Sequence, residues 1–435
     1  MRYKKNYSQY KDKKKVSETP VNVRFEKGHI RFYKLNHHMV VSEFIRGMKN
    51  AIIKGIRSFY VDFSHVDVQV FPNVVVPLSA LFGYYETQGC KFQYIKMPRF
   101  FESMNFPIPQ KYEGTGGILN KVWEFASEDI GIIVDAFIEE VGRCDTYPKG
   151  FLTATEWALN EVMDNVIQHS DLPNGFVMGQ VHPSTKHVAF TVFDMGRGIF
   201  NSFKNSGHHP RNAVDAITLA LQESVTRDKS IGQGNGLFGL SSLIKQGDSR
   251  LKITSGRGYY SYTYGQSVTF SNCPIISNEI NMTTVDFMLD YSTAVSIEKA
   301  LVFNGTIYTP ITLRIENMED IDGNIRINIK EESNGTGTRQ AASQIRNKIL
   351  NILNEEPKNI ILDFTGISVI SSSYADELLA KLFCALGLFQ FNRIIKIIGL
   401  TEEQQLILQK SVIQRIIEDS KNNSNSESKI DEAVR

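Results

Sequence analysis

The chain has 435 residues, 42% hydrophobic and 22% charged, the balance of a soluble globular protein too long for one ordinary core. Its 48 basic and 47 acidic residues leave a formal net charge of +1, so no whole-molecule field favours nucleic acid or an acidic surface. No apolar run nears the ~18 residues of a membrane span, and Cys90, Cys144, Cys273 and Cys384 form no CxxC pair and no zinc spacing, which fits free thiols in a reducing cytoplasm.

Residues 1–20 mix Lys with Tyr and are followed by no apolar h-region, so they read as a basic disordered arm and not as a signal peptide. Nucleic acid or anionic lipid as its target has no support elsewhere in the chain. Residues 21–105 carry the apolar strand Val61-Asp62-Phe63, a short alternating stretch, an apolar helix ending at Leu81-Phe82, and a second strand, KFQYIKM, after Gly89. Strand, helix, strand with short connections is a βαβ unit, which implies parallel strands.

A middle domain spans residues 120–292. Residues 127–130, with an acidic first turn, open a helix whose apolar face runs through Ile133, Phe137 and Val141. A second helix covers residues 151–169, and residues 187–193 alternate as a strand. Gly, His and Pro clusters over 199–231 read as a mobile loop with a helix inside it. Leu237 begins another helix, and the strands LKITS and TTVDFML follow.

Residues 305–418 repeat the N-terminal pattern: Asp363 matches Asp62, Thr365 matches Ser64, and Leu382-Phe383 matches Leu81-Phe82. The strand RIIKIIGL follows after Asn392. Residues 419–435 have no core pattern and read as a disordered tail.

Three segments of the middle domain carry chemistry. Glu161, Asn165 and His169 are spaced i, i+4, i+8, one stripe of a helix. Such a stripe is costly to bury without partners; Mg²⁺, a triphosphate and water would satisfy it, because a hard cation suits amide and phosphate oxygens. Asp194 directly follows a strand, and its acceptor-only carboxylate can take a hydrogen bond from the exocyclic amine of adenine, whereas guanine presents an oxygen there. Gly196 and Gly198 let the backbone approach a base. Gly232, Gly234 and Gly236 precede the apolar helix at Leu237; their N–H groups and the helix dipole favour phosphate, with Arg227 and Lys229 just upstream. Each segment alone also fits a bland reading, as a solvent-facing polar stripe, a capped turn or a hinge.

In this order, roughly 30–40 residues apart, the segments resemble the N, G1 and G2 boxes of the GHKL ATPases, the superfamily of gyrase B, Hsp90, MutL, histidine kinases and anti-sigma kinases. The resemblance implies a Bergerat α/β sandwich over 120–292 that binds ATP. Asn165 would then hold Mg²⁺ against the phosphates and Glu161 would polarise the attacking water. His169, Asp194, Gly196, Gly198, Gly232, Gly234, Gly236 and Leu237 would complete the nucleotide-binding set. The family's last box is Gly-Thr; here Met282-Thr283-Thr284 keeps a hydroxyl at Thr283 but not the glycine. The two βαβ passages resemble the STAS fold of anti-sigma-factor antagonists. The C-terminal copy, with Thr338-Arg339-Gln340-Ala341 opening a helix before its strand, is similar to a STAS-like family often found beside such ATPases. The fold class expected is therefore multidomain α/β and α+β. No GxxxxGK[ST] P-loop occurs, and no helical hairpin with a phosphoacceptor His precedes the first box.

Three functions follow. The first is a bacterial ATP-driven regulatory switch, in which nucleotide closes the 199–231 loop, the STAS-like domains engage protein partners, and slow hydrolysis through Glu161 resets it. The second is a serine kinase of the anti-sigma type: aligning Asp363 puts Ser372 at the family's acceptor position, although serines before Ala-Asp-Glu also serve as helix caps. The third is a non-enzymatic scaffold that ATP stabilises, with a role in phage response suggested by architecture alone. The resemblance leaves a homodimer open.

Overall fold

The computed structural model describes residues 22–37, 39–66, 69–204, 206–223, 225, 236–271, 280–295, 297–303, 306–307, 319–320 and 322–433. The basic arm, Cys273, Arg227, Lys229, Gly232 and Gly234 lie outside those residues.

The N-terminal part is a sheet in the order β1 (Val23–Glu26), β2 (His29–Phe32), β3 (Ser58–Asp62) and β4 (Lys91–Ile95). The first two strands form a hairpin whose turn residues, Lys27 and Gly28, have φ of 45° and 83°, as a tight turn between right-twisted strands requires. The other neighbours are parallel, as the βαβ pattern predicts. Helices α1 (Met39–Ile53), α2 (Pro72–Thr87) and α3 (Arg99–Ser103) cover it. Every residue of α2 from Val74 to Phe82 is buried. A helix apolar all round must be covered all round, and α2 packs both on β4 and on the larger sheet that follows.

That larger sheet contains β5 (Gln110–Lys111), β6 (Trp123–Phe125), β7 (Gly175–His182), β8 (His187–Asp194), β9 (Arg250–Ser255), β10 (Gly258–Thr263), β11 (Gln266–Phe270) and β12 (Thr283–Asp290), in the order β11-β10-β9-β12-β8-β7-β6-β5. The β5–β6 pair is parallel and the rest are antiparallel. One face carries α4 (Ile130–Cys144), α5 (Phe151–His169), α6 (Gly198–Ser202), α7 (Ala213–Ala220) and α8 (Gly236–Ile244) around a core that includes Phe137, Phe151, Val162, Phe190 and Leu240. On the other face Met178, Phe193 and Met282 join the core of the N-terminal part. That part therefore shares its core with the large sheet, and β8 is buried at every position.

After α9 (Ile297–Ala300), β13 (Val302–Phe303) and β14 (Thr306–Ile307), the C-terminal part has three parallel strands, β15 (Ile325–Asn328), β16 (Ile360–Asp363) and β17 (Ile395–Ile398). Its helices are α10 (Ile329–Glu332), α11 (Arg339–Glu355), α12 (Ser372–Ala375), a π turn over Asp376–Ala380, α13 (Lys381–Leu386), α14 (Leu388–Ile394) and α15 (Glu402–Ala433). Thr338 caps α11 by accepting the Ala341 N–H at 3.2 Å. The sequence repeat has a geometric counterpart. Asp62 and Asp363 each end a strand, each accept the N–H two residues on at 2.9 Å, and pair with Arg31 and Arg326 respectively.

Several expectations need correction. The described part of 199–231 holds two helices, α6 and α7, where one was expected within a loop. Strands β7, β10 and β11 were not anticipated. The strand expected from Arg393 starts at Ile395, because α14 runs to Ile394. The segment 419–435 reads as a disordered tail, yet α15 continues through it to Ala433. Extending an existing helix requires no new nucleus, so weak helix formers can follow a strong start.

Candidate functional site

Helix α5 is fixed by its apolar side, where Leu159, Val162, Met163 and Val166 are buried, and this turns Glu161, Asn165 and His169 to one half-buried stripe. Burial pushes the Glu161 carboxyl up to about 7, and the like charge of Asp164 adds to the effect. The Nδ2 of Asn165 is buried with no hydrogen-bond partner among the described residues. Gly236, the first residue of α8, faces both side chains: a Cβ there would lie 2.4 Å from Oε2 of Glu161 and 3.3 Å from Nδ2 of Asn165. The glycine thus permits an approach that any other residue would obstruct. Its neighbour Leu237 packs against the main core and anchors the start of α8.

Asp194 ends β8 and is 5% exposed. Burial pushes its carboxyl up to about 7, against hydrogen bonds from the Gly196 N–H and the Thr283 hydroxyl that pull it down. The Gly196 bond is 2.8 Å long, and Thr283 is the cross-strand partner of Asp194 between β8 and β12. A hydroxyl relay backs this pair: Ile199 N–H donates to Ser255 Oγ at 2.8 Å, and Ser255 Oγ lies 3.1 Å from Thr283 Oγ1. Because the Thr283 hydroxyl donates to Asp194, the Ser255 hydroxyl is left to donate to Thr283.

The glycine turn after Asp194 rests on the end of α5. A Cβ on Gly196 would lie 2.3 Å from the carbonyl oxygen of Ser170, the residue after His169. Arg197 N–H donates to that same carbonyl at 3.1 Å, and its guanidinium pairs with Asp171. Gly198 has φ of 74°, a left-handed conformation natural to glycine, and lines a cavity of about 360 Å³ with Arg197, Asn201, Ser255 and Arg257.

The residues expected from sequence therefore fall into two linked groups. Glu161, Asn165 and Gly236 meet directly; Asp194, Gly196, Gly198 and Thr283 meet directly; and Gly196 joins the groups through the residue after His169. Ser372 stands apart, exposed at the start of α12, which packs on α11 and α15. Ser255 and Ser170 were missed: a serine ending a strand carries no signal until its cross-strand neighbour is known. Among the described residues no three His, Cys, Asp or Glu side chains form a metal cage.

Residues 341–405 match a family described as a STAS-like domain of unknown function (DUF4325). The match runs from the first turn of α11 into the start of α15, so the C-terminal part is STAS-like. A comparison with curated proteins finds no match to this chain. Among the described residues no helix is long and apolar enough to cross a membrane.

Proposed function

We propose that residues 120–292 are a GHKL-type domain that binds Mg²⁺·ATP, and that the chain is an ATP-dependent regulatory protein whose STAS-like part engages a protein partner. The observation that carries this reading is the meeting of Gly236 with Glu161 and Asn165. A glycine that opens a helix beside a carboxylate and an amide is suited to a cation-bound phosphate, since backbone N–H groups at a helix start attract the phosphate and side-chain oxygens attract the cation.

The residues fit the group. Mg²⁺, held by the Asn165 amide oxygen, would supply charge neutralisation at the triphosphate. Asp194 accepts from the exocyclic amine of adenine, and the Ser255–Thr283 relay holds its carboxylate in place. Glu161, titrating near neutrality, takes the proton of the attacking water. Gly196 holds the base-reading turn against α5, which keeps the two halves in register.

One observation favours serine phosphorylation as a second reading. Ser371 makes the helix cap by accepting the Tyr374 N–H at 3.0 Å, which leaves the exposed Ser372 hydroxyl outside the capping role. Labelled ATP followed by mass spectrometry of peptide 365–378 tests it.

Calorimetric titration with ATP, ADP and GTP, with and without Mg²⁺, followed by an ADP-release assay, tests the main reading. Mg²⁺-dependent binding of ATP in preference to GTP supports it, and equal binding of both nucleotides contradicts the role of Asp194. Binding without ADP release would leave a nucleotide-stabilised scaffold.

A further inference from the structure

Helix α5 begins without a cap of its own. Its N-cap residue is Gly150, at φ 82°, with no side-chain oxygen to offer the first turn. The STAS-like part supplies one: Glu355, the last residue of α11, accepts the Gly150 N–H at 3.1 and 3.2 Å through its two oxygens and the Thr153 hydroxyl at 3.4 Å. A carboxylate there also meets the positive end of the helix dipole.

The same helix closes the end of α4. Asn351, 3% exposed, donates to the carbonyls of Gly142 at 2.8 Å and Asp145 at 2.9 Å and accepts the Tyr147 N–H at 2.7 Å. Asn347 donates to the Arg143 carbonyl at 3.2 Å and Asn354 to the Tyr147 carbonyl at 2.9 Å. Lys348 bridges Glu139 and Glu332 at 3.2 and 2.5 Å. These bonds tie the connection between α4 and α5 to α11, and a seam of directed polar contacts can open and close as a unit.

We infer that docking of α11 fixes α5 and thereby sets the affinity of the Glu161–Asn165–Gly236 cluster for nucleotide. Glu355 is a positioning residue: it acts on Asn165 through about 22 Å of continuous helix. The inference rests on the reading of that cluster as an ATP site and adds its regulation. Because coupling is reciprocal, bound nucleotide also strengthens the docking of α11.

The test uses the full chain. Mg²⁺·ATP affinity is measured by calorimetry for wild type, Glu355→Ala and Glu355→Gln, with backbone hydrogen exchange of residues 339–355 recorded with and without nucleotide. Glu355→Ala is expected to weaken binding about tenfold, within the usual range of coupling between sites. Glu355→Gln, which keeps one acceptor oxygen, is expected to recover most of the loss. Nucleotide is expected to slow exchange over 339–355 in wild type and not in Glu355→Ala. Should Glu355→Ala aggregate, the wild-type exchange response over 339–355 decides: slower exchange with nucleotide supports the coupling and no change overturns it. Binding by wild type with unchanged affinity in Glu355→Ala and no exchange response overturns the coupling alone. No binding by wild type overturns the reading of the site, and the coupling with it.

Discussion

Gly236 at the start of α8 stands against Glu161 of α5, where a Cβ on the glycine would lie 2.4 Å from the glutamate Oε2. The obstructed atom is the end of a flexible side chain, so the fold can accept a methyl group there by swinging the carboxylate aside. Gly236→Ala is therefore expected to fold with stability within about 1 kcal/mol of wild type, helped by the better helix propensity of alanine. Turnover should fall well over tenfold because the carboxylate is displaced. Denaturant unfolding beside an ADP-release assay checks both; unchanged turnover would contradict the placing of Glu161.

Glu161 must be ionised to accept a proton. Its carboxyl sits at about 7, so ADP release is expected to rise from pH 6 to pH 8 and then level off. Glu161→Gln should retain Mg²⁺·ATP binding and lose roughly 10²–10⁴-fold in rate, the usual share of a general base. A flat pH profile in wild type would remove Glu161 from the chemistry.

Asp194 links binding to stability. Its carboxyl lies at about 7 in the folded chain against 3.8 unfolded, so the native state holds the proton more tightly between those values. Its contribution to stability is fully present below pH 3.8 and is lost as pH rises through 7. Asp194→Asn escapes that loss and is expected to be more stable than wild type at pH 8 by on the order of 3 kcal/mol, with the difference vanishing near pH 4. The same variant should lose the preference for ATP over GTP. Urea unfolding at pH 8 that finds it less stable would show that the carboxylate is satisfied in its ionised form.

Gly196 offers the opposite case to Gly236. A Cβ there would meet the Ser170 backbone, at 2.3 Å from its oxygen and 2.6 Å from its Cα, and backbone on a packed helix end yields little. Gly196→Ala is expected to destabilise the chain by about 2 kcal/mol and to weaken nucleotide binding. Thermal melting at fixed pH reads the first effect and calorimetry the second; wild-type values in both would sink the contact.

Asn351→Ala removes three buried hydrogen bonds across the α4–α11 seam. Leaving the Tyr147 N–H unpaired with two carbonyls is expected to cost about 3 kcal/mol. A double-mutant cycle with Glu355→Gln should reveal coupling between the two, since both act on one connection; simple additivity would contradict a cooperative seam.

What the sequence disclosed depended on how local its causes were. Helix α5 was readable end to end, because its buried side repeats at helical spacing. The caps at Thr338 and Ser371 follow from residue type alone. Residues 187–193 read as an alternating, half-buried strand, yet β8 is buried at every position, because α2 covers the face that alternation leaves to solvent. Edge strand β11, exposed at every position, has no buried face to pattern it, and β10 was lost with it. The serine relay behind Asp194 needs the β9–β12 pairing, a contact that spans the missed hairpin. Glu355 was illegible for a similar reason: it serves a helix about 200 residues earlier in the chain.

The most direct measurement is calorimetric titration of Mg²⁺·ATP into wild type and Asn165→Ala. Saturable, Mg²⁺-dependent binding to wild type and a loss of at least tenfold in the variant are expected, since the amide oxygen is the proposed ligand of the cation. Equal affinity in the two proteins, or no binding to either, would contradict this reading of the site.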